Sequence, residues 1–173
     1  MYGNENSAEG GFDVERTILL LGNPELYEVS REVKIEELHQ MEQVREDLKD
    51  TLLAFRARYG TGRAIAAPQI GVKKRVIYRH LDTPVLFINP RLAFPEQEMI
   101  DVLDDCMSFP DLLVRVKRYK RCIIYYKDLE WNDCSMELEG DMSELIQHEY
   151  DHLDGILATL RAVDERALVM KPH

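Results

Sequence analysis

No apolar run in this chain approaches the length needed to cross a bilayer, and its start lacks the basic and apolar stretches of a secretory signal. Neither a membrane partner nor export is expected. Cysteine is scarce. Only Cys106, Cys122 and Cys134 occur, an odd set that predicts reduced thiols in a cytoplasm and no disulfide framework. Positive charge is also short: 22 Lys and Arg stand against 32 Asp and Glu, a net charge of -10. That balance argues against direct nucleic-acid binding, because a phosphate backbone needs a surplus of basic side chains. The local exception, Arg115 to Arg121, alternates in part with apolar residues and is read as the solvated face of a strand. Repeats and low-complexity linkers are missing too. The 173 residues, 45% hydrophobic and 31% charged, are read as one domain over 13–173 behind a polar, Gly-rich mobile tail over 1–12.

What is present begins with a helical pattern. Ile35, Leu38, Met41, Val44, Leu48, Leu52 and Phe55 recur at spacings of three and four. This predicts one long amphipathic helix from Lys34 to Tyr59, ended by Gly60-Thr61-Gly62. Short β-like runs follow at Lys74–Tyr78, Pro84–Ile88 (closed by Asn89-Pro90), Leu112–Val116, Cys122–Tyr126 and Cys134–Leu138, with a turn over Asp128–Asp133. Cys122 reads as a buried strand residue, and no role is evident for Cys134. After Gly140 a second helix is predicted, capped by Asp141 or Ser143 and ended by Asp154-Gly155. Leu145, Ile146, Tyr150 and Leu153 are its apolar contacts. The expected class is α+β: mostly antiparallel sheets packed around the second helix, with the long helix near the N-terminus.

That second helix carries His148-Glu149-Tyr150-Asp151-His152. Histidines at i and i+4 share one helical face and can grip one metal ion, with Glu149 beside them to handle protons on water. Cys106, in a turn-rich acidic stretch, offers a thiolate as third ligand. Two imidazoles and a thiolate leave one position of a tetrahedral ion open, as in hydrolytic rather than structural centres. Taken alone, the His pair also fits a solvated helix, and a lone Cys is more often a small buried hydrophobe. Gln147 and Asp151 read equally well as supports of the ligands or as exposed residues.

A third segment, Gly62-Arg63-Ala64-Ile65-Ala66-Ala67-Pro68-Gln69, is small and apolar with one amide side chain. In order along the chain, this segment, Asp104-Asp105-Cys106-Met107-Ser108, and Gln147-His148-Glu149-Tyr150-Asp151-His152 resemble the three motifs of the peptide deformylases. Asn23-Pro24-Glu25-Leu26, Ile88-Asn89-Pro90 and Leu153-Asp154-Gly155-Ile156-Leu157 extend the likeness, which runs from about Thr17 to Leu160. The resemblance implies a hydrolase that removes formyl from N-formylmethionyl nascent chains, in the cytoplasm and near the ribosome. It implies Cys106, His148 and His152 as ligands of one divalent ion, Fe(II) natively, with Zn(II) or Ni(II) able to replace it. Glu149 becomes the general base, and Gln69 and the Met107 N–H the oxyanion donors. Gly62, Arg63, Ala64, Asp105 and Leu145 become substrate-binding positions.

The departures from the family pattern lie along the substrate path. Asp105 stands where the family has Gly, Asp104 where it has Glu, Ala64 where the second Gly usually stands, and Ile65 for Leu. After Leu157, Ala-Thr-Leu-Arg replaces the usual aromatic-x-Asp-Arg. Arg118 is read either as a partner for Asp104 or as an exposed Arg. Two further readings stay open: an amidase acting on a changed formyl substrate, with Asp105 selecting basic groups, and a weakly active metal-containing peptide binder.

Overall fold

The computed structural model describes residues 15–172; the predicted tail over 1–12 lies outside them. In chain order the regular elements are α1 (Met41–Tyr59), β1 (Ala64–Ala66), β2 (Val76–Arg79), β3 (Val85–Ala93), β4 (Met99–Asp104), β5 (Leu112–Tyr119), β6 (Arg121–Lys127), β7 (Asp133–Glu139), α2 (Asp141–Leu153) and β8 (Leu168–Met170). Strands β1-β2-β3-β6-β7 form a five-stranded sheet and β4-β5-β8 a three-stranded one. Every neighbouring pair is antiparallel, so the architecture is the expected α+β arrangement. Among the described residues no helix is long and apolar enough to cross a membrane.

The first helix starts later than its periodicity suggests. Ile35–Gln40 is a 3-10 turn, and Ile35 is exposed rather than part of the buried stripe. The Glu37 carboxylate accepts from the Lys34 N–H and tightens this turn. The α-helical part buries Met41, Leu48, Thr51, Leu52 and Phe55 and ends on Gly60 at φ 71°. Strand β3 also exceeds its expected length. It runs through Asn89-Pro90 by a register shift between Ile88 and Arg91, where Asn89 takes φ 49°. Pro lacks a ladder N–H, so a bulge is where a strand tolerates it.

Strand alternation divides the core around the five-stranded sheet. Val76, Tyr78 and Ile88 face α1 and pack with Leu48, Leu52 and Phe55. Ile77 and Phe87 point to the other face and pack with Ile146 and Leu153 of α2. A third cluster, Leu26, Phe109, Val114, Val116 and Leu157, lies beneath the small sheet and includes Cys106. Cys122 is buried in its strand as expected.

Helix α2 occupies the space between these layers and is buried over most of its surface. Its N-terminus is not capped as predicted. Gly140 holds the cap position at φ 59° without a side-chain cap. Ser143 instead donates to the Tyr119 carbonyl at 2.9 Å. Gln147 accepts from the Tyr119 N–H at 2.9 Å and donates to its carbonyl at 2.7 Å. One amide thus pairs both backbone groups of Tyr119 and anchors the helix to the end of β5.

At the other end Gly155 has φ 72°, and a Cβ there would overlap the Tyr27 carbonyl. Both strain and overlap oppose any side chain. Gly155→Ala is expected to cost about 2–4 kcal/mol, read as a lowered denaturation midpoint. An unchanged midpoint would show that the Tyr27 segment yields freely.

Candidate metal centre

The three predicted ligands converge. Cys106, in the turn after β4, and His148 and His152, one turn apart on α2, are all buried, and their donor atoms lie within 4.8 Å of one another. Cys106 Sγ is 3.3 Å from His152 Nε2, which is 3.2 Å from His148 Nε2. A tetrahedral ion with bonds of about 2.0–2.3 Å needs donor separations of about 3.3–3.6 Å, so the set fits one small divalent cation.

The electrostatics point the same way. His148 Nδ1 faces Asp104 Oδ2 at 2.9 Å, which leaves Nε2 as the lone-pair nitrogen toward the cluster. Burial opposes charge on His148, but the Asp104 carboxylate and the Cys106 sulfur override it and hold its pKa well above the usual value. Positive charge is therefore favoured at this ring, and a divalent ion can supply it in place of a proton. Burial and the nearby His148 push His152 well below the ordinary range. It stays neutral with a lone pair to give.

The residues expected to do chemistry surround this cluster. Gln69, on the 3-10 turn Ala67–Ile70, accepts from the Ala66 N–H through Oε1 at 2.9 Å. That contact turns its Nε2 toward Ser108 Oγ at 3.1 Å and Cys106 Sγ at 3.6 Å. Among the described residues the Met107 N–H finds no backbone acceptor. Glu149 is buried, its Oε2 has no hydrogen-bond partner among the described residues, and burial raises its pKa to about 7. A small cleft opens beside the cluster. Cys106, Met107, His148 and Glu149 line it, together with all five expected substrate positions: Gly62, Arg63, Ala64, Asp105 and Leu145. Asp105 does not adopt a positive φ, so its backbone does not need the Gly of the family pattern.

Several supporting residues escape a reading by motif. Arg118 is 3% exposed in its side chain, which overturns the solvated reading of the basic run at this position. It donates to Asp104 Oδ2 at 2.8 Å and to Asp151 Oδ2 at 2.6 Å. Arg161 also donates to Asp151, to Oδ2 at 2.6 Å and to Oδ1 at 2.9 Å. Asp104 and Asp151 are therefore both buried and paired, and Asp151 is no exposed filler. Burial works against the Asp104 carboxylate, yet His148 and Arg118 hold its pKa down to about 2. A signal for Arg118 did exist: it shares strand parity with the apolar Val114 and Val116, and all three are buried. Lys171 and Glu144 also reach the site, and nothing in the motifs marks them.

The family model for polypeptide deformylase matches residues 15–167. A peptide deformylase from Treponema pallidum is 35% identical over 147 residues, covering 84% of this chain and 86% of that one. The crystal structure of peptide deformylase from Thermotoga maritima superposes with a TM-score of 0.79 at 28% identity, covering 87% of this chain and 99% of that one. A class I type b peptide deformylase from Acinetobacter baumannii with Met-Ala-Ser bound gives a TM-score of 0.77 at 27% identity, over 86% and 98% of the two chains.

Two substitutions test the centre. Cys106→Ser should sharply weaken metal binding, because a hydroxyl is a poor substitute for thiolate; full metal occupancy would remove Cys106 from the donor set. Asp104→Asn keeps the size but loses the charge behind His148, and affinity in a chelator competition should fall about 10–100-fold.

Proposed function

The chain belongs to the polypeptide deformylase family, and on that premise we propose that it hydrolyses the formyl amide of N-formylmethionyl peptides, releasing formate and a free N-terminal Met. The observation that carries this reading is the placement of Glu149, with an unpartnered carboxylate oxygen, on one cleft with Cys106 and His148. Residues 13–173 are taken as one catalytic domain.

Cys106, His148 and His152 are the proposed holders of the ion, with Fe(II) as the native choice and Zn(II) or Ni(II) able to use the same donors. When bound, such an ion supplies Lewis acidity that makes water more acidic and polarises the formyl carbonyl.

The protein's own groups do the rest. Glu149 takes a proton from the attacking water, a task suited to a buried carboxyl that titrates at about 7. The water oxygen bonds to the formyl carbon. The Gln69 amide, held in orientation by the Ala66 N–H, and the Met107 N–H donate to the oxygen that gains charge. Each such donor is worth about 3 kcal/mol of barrier. Glu149 then returns its proton to the leaving amine as the C–N bond breaks.

The peptide is proposed to lie extended along β1. That strand ends the order of the five-stranded sheet, and Gly62, Arg63 and Ala64 line the cleft, so a substrate strand can add there. The reaction is placed in the cytoplasm, close to ribosomes, where formylated chains emerge.

Formate release from a formyl-Met tripeptide is the direct test, with protein loaded anaerobically with Fe(II) or Ni(II). Glu149→Ala should lower kcat about 10²–10⁴-fold while retaining metal. No turnover from folded, metal-loaded parent would sink the reading. The base works only when deprotonated, and its pKa is raised, so activity should fall as pH drops. A nearby cation favours the carboxylate, which places the acidic limb of kcat/KM at or below about 7. A limb well above 7 would assign it to another group.

A further inference from the structure

The walls of the cleft carry charge. Arg63, in the turn before β1, reaches Glu144 of α2 at 2.8 Å. Lys171, just past β8, reaches Asp105 at 3.5 Å. Arg63, Asp105 and Lys171 line the cleft with the apolar Phe55, Met107 and Leu145.

The two ion pairs differ in kind. Arg63–Glu144 is short, and the Glu144 side chain is only 9% exposed. Opening this pair would strand a buried carboxylate, so it acts as fixed wall. Lys171–Asp105 is longer, with side chains 27% and 41% exposed, a class of pair that contributes little stability.

Its partners also differ in freedom. Asp105 is a short side chain between two anchored residues. Asp104 is held by Arg118 and His148, and Cys106 by the donor cluster. Its carboxylate therefore stays on the cleft. Lys171 carries its ammonium on a flexible four-carbon stem and can move into solvent. The surroundings favour cations as well. Arg63 lies within electrostatic reach of Asp105, Asp141 and Glu144, so these three acids outnumber the two bases Arg63 and Lys171.

We propose that Asp105 is a specificity-determining residue: its fixed carboxylate, covered by the displaceable Lys171, accepts a basic side chain of the formylated peptide. The enzyme then favours Lys or Arg close behind the formylated residue over Asp or Glu. This deepens the deformylase reading and rests on it.

The test uses metal-loaded enzyme and formyl-Met peptides with Lys, Ala or Glu at the second or third residue. At low ionic strength the Lys peptide should exceed the Glu peptide in kcat/KM by about tenfold at one of these positions, and salt should shrink the ratio. Asp105→Asn should bring the ratio toward one. Lys171→Ala should raise it, because Asp105 loses its internal counter-ion. A loosened fold would not shift the ratio in opposite directions. Calorimetric titration with the products Met-Lys-Ala and Met-Glu-Ala supplies a readout that needs no turnover, and the basic product should bind tighter. A parent ratio within about twofold of one at both positions, or both variants shifting it the same way, overturns the proposal. Failure to turn over any formyl peptide overturns the assigned reaction instead, and the order of product binding then still decides the role of Asp105.

Discussion

Arg118 ties the metal centre to the fold. Its guanidinium stays charged at any accessible pH, and it sits at the buried end of β5 between Asp104 and Asp151. Asp104 closes β4 and Asp151 lies on α2, so one side chain bridges both sheet strands and the helix that carries the histidines. Arg161, on the 3-10 turn Ala158–Arg161, completes Asp151 from outside. Buried charges cost several kcal/mol each unless paired and hydrogen-bonded, and loss of one partner leaves the others exposed to that cost. The network therefore does more than add stability. It fixes Asp104, which orients His148, and it fixes the chain position from which Cys106 enters the cluster.

The same logic explains how α2 tolerates its own sequence. A helix with Ser143, Glu144, Gln147, His148, Glu149, Asp151 and His152 all buried is unusual for a core position. Its apolar side, Ile146 and Leu153, packs against the large sheet. Its polar groups are divided among neighbours: Ser143 and Gln147 to the Tyr119 backbone, Glu144 to Arg63, and Asp151 to the two arginines. His152 Nδ1 and Glu149 Oε2 remain without partners among the described residues. Buried polar atoms are nearly always satisfied, and the exceptions here belong to the groups proposed to hold the ion and move the proton.

Much of the fold was legible because the segments concerned obey a simple period. The buried stripe of α1 and the alternating strands β5, β6 and β7 follow from 3.6- and 2-residue repeats. Strand β1 carries no periodic mark in the sequence, because Ala64, Ile65 and Ala66 are all buried. Ile65 packs toward α1 and Ala66 toward α2, so covering on both faces erases the alternation that marks a strand. Strand β4 was hidden by its acidic residues, and β8 by its shortness and exposure. The caps failed for a different reason. Ser143 has the chemistry of an N-cap, but a tertiary acceptor, the Tyr119 carbonyl, takes its hydroxyl instead.

The sequence by itself determined the metal-binding chemistry and the family. Histidines at i and i+4 must share a helical face, and three ordered motifs leave little room for chance. It could not determine which charged residues are buried or which face one another. Arg118 and Lys117 are neighbours in a basic run, yet one is sealed behind the metal centre and the other lies in solvent. Likewise only the folded chain brings Lys171 to Asp105 and Arg63 to Glu144. Local patterns act over a few residues, where backbone geometry is fixed. Charge pairing across a cleft depends on distances set by the packing of sheets and helices far apart in the chain.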